Sequence, residues 1–263
     1  MTEAIAHDPR AHYVLSPAPW LGGCSDIGLR HPTNQDALSL AVREQPARAA
    51  IAAISDGVTT APGAEEASVA AAEAAVRVVI ERLDAGDTPD AALQEAYGAA
   101  NAAVLAEREY PSACTLVTAV ITGRELVVGN VGDSRAYWLG DDGDARQLST
   151  DDSMAQARIL LGMTREEAEQ SIQAHAITRW LGRDSTNWVP TVVHFEPDGP
   201  GWLLLCSDGL WNYASSPEEL AEVFRARAGS PESPAAVAEA LAAWANEQGG
   251  RDNVTVVLAR VEP

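Results

Sequence analysis

Ser-Asp-Gly occurs twice, at Ser55-Asp56-Gly57 and Ser207-Asp208-Gly209, each time closing an apolar run ("AAISDGV", "LLLCSDGLW"). Such a run, bounded by a turn signal, reads as a core strand, and the glycine permits a close backbone approach. A carboxylate at that place is costly to bury unless something compensates its charge. Four further segments carry acids at strand edges or tight turns: Asp36 in "TNQDAL", Asp133 in "NVGDSRAYWL", Asp151 and Asp152 in "STDDSM", and Asp252 in "GGRDNVTVV". Singly, each reads as a turn or cap residue. Gathered at one mouth they would repel one another and stay partly protonated. Two divalent cations would cancel the formal charge of Asp36, Asp56, Asp208 and Asp252. His and Cys pairs at ligand spacing are absent from the sequence, which argues against zinc, whereas oxygen donors suit Mn²⁺ or Mg²⁺. Paired cations acidify a bridging water and clamp a phosphoryl group, so the chemistry that fits is phosphoester hydrolysis.

The rest of the composition excludes other chemistries. All 18 basic residues are Arg, and a chain without Lys has no Walker-type phosphate loop, no Schiff-base lysine and no kinase strand lysine in their usual forms. An aspartyl-nucleophile phosphatase needs a catalytic Lys beside its Asp-x-Asp pair, and the Lys is missing. The net charge of −20 repels nucleic acid and anionic membrane. No apolar stretch approaches the ~20 residues of a membrane span, and the N-terminus lacks a signal pattern. A cytoplasmic protein is expected. Cys24, Cys114 and Cys206 are odd in number and far apart, which reads as small buried hydrophobes and not as a disulfide framework.

The elements that must position the acids follow from periodicity. Residues 1–19, with "SPAPW", read as an N-terminal arm, and 20–263 as a single domain. An apolar strand from Ala47 to Ile54 leads into a long helix over "PGAEEASVAAAEAAVRVVIERL". A second helix opens at Thr88 as N-cap with Pro89 at its first position. "CTLVTAVITGRELVVGNVGDSRAYWL" reads as an antiparallel meander. Thr164 to Glu167 forms a capping box inside a flap at about 150–190. Strands "TVVHF" and "GWLLLC", helices starting at Ser216-Pro217 and Ser233-Pro234, and a final strand "DNVTVVLARV" complete the chain. This order lacks the βαβ rhythm of a parallel sheet. It predicts an α+β fold, a four-layer αββα sandwich of two mostly antiparallel sheets flanked by helix pairs.

From about Cys24 to Val261 the motifs resemble those of the PP2C-type (PPM) metal-dependent Ser/Thr protein phosphatases of bacterial type. "SDIGLRHPTNQDAL", "SDGVTTAPGAEEAS", "NVGDSRAYWL", "LCSDGLW" and "GGRDNVTVV" occur in the family's order. The resemblance implies a β-sandwich flanked by helix pairs and hydrolysis of phosphoserine and phosphothreonine on proteins without a phosphoenzyme intermediate. It implies two Mn²⁺ or Mg²⁺ ions: Asp56 would bridge both, the Gly57 carbonyl would bind one, and Asp208 and Asp252 the other. Asp36 would act through metal-bound water, and Asp133 would join Asp208 at a weaker third site. The partners implied are phosphoproteins made by bacterial Ser/Thr kinases, with the enzyme a monomer.

The chain departs from the family in three places. Gln35 replaces the Glu of Asn-Glu-Asp, so a neutral amide stands where a carboxylate helps hold the metal's waters. The phosphate-binding Arg usually stands where His31 is; Arg30 or His31 could take that role, or His31 could protonate the leaving group. Val58-Thr59-Thr60 follows Asp56-Gly57 where Gly-Gly is common, with no His after it to act as general acid. A non-catalytic sensor that keeps the fold is the alternative, resting on Gln35 and His31. Arg135 and Arg179 are expected to form structural ion pairs, and the scattered Trp residues to pack in core and rim.

Overall fold

The computed structural model describes residues 10–45, 48–107, 112–229 and 233–262. Strands β1 (His12–Ala18), β2 (Leu21–Asp26), β3 (Asp36–Arg43) and β4 (Ala49–Asp56) precede helices α1 (Ala64–Asp84) and α2 (Pro89–Glu107). There follow β5 (Ala113–Cys114), β6 (Leu116–Thr122), β7 (Glu125–Val131), β8 (Arg135–Gly140) and β9 (Ala145–Gln147). Helices α3 (Met154–Leu160) and α4 (Arg165–Glu169) lead to β10 (Leu181–Gly182), β11 (Thr191–Phe195) and β12 (Gly201–Cys206). The chain closes with α5 (Asp208–Trp211), α6 (Pro217–Arg227), α7 (Pro234–Glu247) and β13 (Val254–Val261).

Two antiparallel sheets form the centre, one in the order β1-β2-β13-β12-β8-β9, the other β11-β7-β6-β4-β3. Strand β4 shows why they stack. Its period-2 alternation turns Ala50, Ala52 and Ile54 toward the first sheet, where they meet Leu203, Leu205 and Val257. Ile51 and Ala53 face the other way, into a core shared with Ala71, Ala75, Leu93 and Tyr97 of α1 and α2. A third core joins Leu204, Val256 and Leu258 to Leu220 and Phe224 of α6 and Leu241 of α7. Three apolar cores between four layers make the αββα sandwich.

The local signals act as expected. Thr164 and Ser216 each accept from the backbone N–H three residues on, and Glu167 and Glu219 complete the two capping boxes. Ser233 caps α7 with Pro234 at its first position. Among the described residues no helix is long and apolar enough to cross a membrane, and all three cysteines are buried free thiols.

The expected arm over residues 1–19 requires correction. Residues 1–9 lie outside the described residues, but His12–Ala18 forms β1, an edge strand paired with β2 from His12↔Asp26 to Ala18↔Leu21. Its exposed face and two prolines hide it in the text. A partner strand supplies what local pattern lacks, and an edge position with a register shift between Leu15 and Ala18 tolerates the proline. The segment 150–190 holds the short α3, α4 and β10 amid irregular chain.

Candidate active site

The acids come from strand ends at one end of the sandwich. Asp36 opens β3 and Asp56 closes β4, directly opposite each other in register. Asp208 begins α5 immediately after β12, and Asp252 lies two residues before β13. Each Ser-Asp-Gly does the same three things. The serine is buried and ties down a neighbouring strand: Ser55 Oγ donates to the Thr115 carbonyl (2.7 Å), and Ser207 Oγ accepts from the Thr255 N–H (3.0 Å) while donating to Asp36 Oδ2 (2.7 Å). The Asp follows at the mouth. The Gly admits a neighbouring chain, since a Cβ on Gly57 would stand 2.5 Å from the Ala64 carbonyl oxygen and one on Gly209 1.9 Å from that of Asn253.

Asp36 is the most enclosed of the group, 1% exposed. Its Oδ2 accepts from both Ser207 Oγ and Thr255 Oγ1 at 2.7 Å. Burial nevertheless pushes Asp36 up to about 6, against the pull of those hydroxyls. Asp56 and Asp208 lie well above the usual carboxylate range, first through burial and then through repulsion. For Asp56 the repelling charges are Asp36, Asp208, Asp133 and Asp252, and for Asp208 they are Asp133, Asp252 and Asp36. Asp133, 5% exposed, is pushed up to about 7 by burial and by Asp151, against the pull of Arg135. These mutual effects place five carboxyl groups, from Asp36, Asp56, Asp133, Asp208 and Asp252, within electrostatic reach of one another.

Among the described residues no three Asp, Glu, His or Cys side chains are close enough to hold an ion by themselves. Hard cations accept backbone and water oxygens beside carboxylates, so an open acidic donor set of this kind fits Mn²⁺ or Mg²⁺. A second observation points the same way. Gln35 Oε1 is buried and has no hydrogen-bond partner, although its own backbone N–H is fixed by Asn253 Oδ1 (2.8 Å) and its carbonyl by the Gly57 N–H (3.0 Å). An acceptor left bare on the residue next to Asp36 is one that a water held by a cation would satisfy.

The remaining candidates divide. His31 Nε2 stands 3.2 Å from Asp252 Oδ1 and joins the cluster. Arg30 is exposed and, among the described residues, makes no ion pair with these carboxylates. Arg135 and Arg179 form ion pairs. Arg135, 2% exposed, binds both oxygens of Asp151, stacks 3.6 Å from the Trp211 ring centroid and donates to the Ser215 carbonyl. Arg179 pairs with Asp152 (3.1 Å), whose other oxygen accepts from the Gly132 N–H.

Sequence reasoning missed the supports. Thr255 and Ser25 share a hydrogen bond (2.8 Å) behind Asp36, and Asn34 Nδ2 donates to Ser25 (2.9 Å). Asn253 holds the Ile27 and Thr33 carbonyls. Arg10 reaches from beyond β1 to the Asp36 carbonyl and to Glu65 of α1. The hydroxyls occupy ordinary strand positions, and only Asn253, beside Asp252, carried a visible signal.

Comparisons with known proteins bear on the family to which the chain belongs. The chain is 37% identical over 147 residues to the serine/threonine phosphatase stp of Listeria innocua, covering 55% of each chain. It is 32% identical over 249 residues to the serine/threonine protein phosphatase PstP of Mycobacterium tuberculosis, covering 90% of this chain and 44% of that protein. The chain thus spans about half the length of these relatives. A solved structure of the PstP catalytic domain with two manganese ions superposes with a TM-score of 0.63 at 28% identity, over 95% of this chain and 100% of the other. A family model described as protein phosphatase 2C matches residues 30–246, and the chain belongs to the protein phosphatase 2C family.

Proposed function

We propose that the protein is a metal-dependent phosphatase that hydrolyses phosphoserine and phosphothreonine on proteins. The observation that carries this reading is the set of mutually repelling carboxyl groups at one end of both sheets, with the bare Gln35 oxygen on the residue next to Asp36. Asp56, Asp208 and Asp252, with the Gly57 carbonyl, are the residues that would hold two divalent cations; Asp133 would contribute to a third, weaker site. When bound, the cations supply an acidified water as nucleophile and positive charge opposite the phosphoryl oxygens.

The chain's own groups do the rest. Asp36, gripped by Ser207 and Thr255, cannot swing away, so its free oxygen and the Gln35 amide fix the orientation of water in the site. His31, beside Asp252, is placed to protonate the leaving serine or threonine oxygen. Arg30, exposed on the same loop, is free to meet the phosphoprotein. Substrates are phosphoproteins, the products of bacterial Ser/Thr kinases, met by a monomer in the cytoplasm.

Purified protein should release phosphate from a phosphothreonine peptide in Mn²⁺ and lose this in chelator. Asp208→Asn should lower the rate by ~10² or more, by analogy with loss of an electrostatic stabiliser at a reacting centre. Turnover that survives chelator would refute the reading, and metal binding with no turnover above background would assign the chain to the sensor alternative.

A further inference from the structure

A second cavity lies at the opposite end of the sandwich. Strand β4 runs from Ala49 at this far end to Asp56 at the acidic mouth, seven residues or about 23 Å away at strand rise. The cavity has a volume of about 680 Å³, within the range of small-molecule sites, and its walls include Trp20, Arg48, Ile121, Arg124, Arg260 and Glu262. Both sheets contribute: Trp20 and Arg260 from the first, Ile121 and Arg124 from the second.

Three arginines around one cavity are conspicuous in a chain of net charge −20. Arg260 is neutralised, with both terminal nitrogens on Asp141 at 2.7 Å and Nε 3.4 Å from Glu262. The other two have no carboxylate partner among the described residues. Arg48 lies over the Trp20 ring, 4.1 Å from its centroid. Arg124 donates through Nη2 to the Pro197 carbonyl (2.6 Å), while its Nε is buried without any acceptor. A guanidinium donor held out of water and unpaired is costly, and an anion is what relieves it. The flat indole beneath Arg48 and the aliphatic wall of Ile121 offer nothing to a bare inorganic ion but suit a ring.

We propose that this cavity binds a small organic anion, a planar aromatic or heteroaromatic body carrying a carboxylate or a phosphate. The ring lies against Trp20 and Ile121, and the anionic group accepts from the exposed Arg48 guanidinium, with the Arg124 charge beside it. The site is independent of the metal carboxylates, so its occupancy is measurable with chelator present and without turnover.

The test is a fluorescence titration of the whole chain in chelator with 8-anilinonaphthalene-1-sulfonate, an unhydrolysable aromatic anion. One saturable site is expected, weakened about tenfold or more by Arg48→Gln, by Arg124→Gln and by 0.5 M salt. Arg146→Gln, which alters an exposed arginine paired with Asp144, should leave it unchanged. Benzoate and phenylphosphonate compete, and their relative strength tells whether the site takes a carboxylate or a phosphate. Arg48 is exposed, so its variant should fold normally, and an unchanged melting temperature confirms this. Unsaturable binding, affinity in both arginine variants unchanged from the parent, or failure of both competitors to displace the probe would overturn the proposal.

Discussion

At the scale of single residues, the two groups whose chemistry is most exposed to test are His31 and Asp133. If His31 gives its proton to the departing oxygen, its removal should matter only where that oxygen is a poor leaving group. His31→Asn is therefore expected to slow release from a phosphothreonine peptide by about 10²-fold, within the usual range of general acid catalysis, while KM changes little. p-Nitrophenyl phosphate, whose leaving group needs no protonation, should lose far less. Equal losses on both substrates would instead make His31 a phosphate-binding or Asp252-positioning group. Asp133 concerns stability. Its carboxyl, ordinarily near 3.9, is raised to about 7 by burial and Asp151, so without metal the native state holds a proton between those pH values that the unfolded chain has lost. Its contribution then falls as pH rises through that window and is lowest above pH 7. Asp133→Asn abolishes this titration. Urea denaturation in chelator should show the variant gaining on the parent between pH 5 and pH 8, by the order of 1–2 kcal/mol, and a difference flat with pH would exclude the mechanism.

At the scale of elements, the link from β8 to the chain after β9 is a buried ion pair. Arg135 is held between Asp151 on one side and the Trp211 ring of α5 on the other, so one side chain ties the first sheet, the helix bearing Asp208 and the irregular segment together. Removing only the cation leaves the Asp151 carboxylate, 6% exposed, with the Gln147 amide (3.0 Å) and no ion partner. Arg135→Met should cost about 3–5 kcal/mol in chemical denaturation. Adding Asp151→Asn should return at least about 1 kcal/mol of it, because the orphaned charge is the larger part of the penalty. Additive losses in the double variant would show that packing on Trp211 dominates. This pair also marks where legibility in the sequence ends. Thr88, Thr164, Ser216 and Ser233 announce helix starts because a cap is a contact within one turn, and the run ending in Ser55-Asp56-Gly57 announces β4 because burial on both faces is written in consecutive residues. The strand β1 was hidden because its pairing energy resides in β2. Ser25, Ser207 and Thr255 were hidden because a hydroxyl in a strand gains its meaning only from the carboxylate opposite. That Arg135 would form an ion pair was readable from its type; that Asp151 and Trp211 would hold it was not.

At the scale of the whole molecule, the acidic mouth is an end where both sheets close in carboxylates. Asp56 belongs to the second sheet, and Asp208 and Asp252 flank strands of the first, so their repulsion acts to part the layers at that end while the apolar core of Leu203, Leu205, Ile54 and Val257 keeps them together. Cations held between the sheets reverse the sign of this term. Binding to the folded chain alone stabilises it by RT ln(1 + [L]/Kd), about 2.7 kcal/mol at a hundredfold excess over Kd. For a domain of this size that corresponds to roughly 5–10 °C in melting temperature. With a net charge of −20, any salt also relieves general repulsion, so the comparison must be made against NaCl at matched ionic strength. Mn²⁺ should raise the melting temperature above that control in the parent and much less in Asp56→Asn, which removes one of the carboxylates that would hold the ions. A shift that NaCl reproduces, or that survives Asp56→Asn undiminished, would mean that the charges are merely screened. The two layers would then not be clamped by metal, and the proposed phosphatase chemistry would lose its foundation.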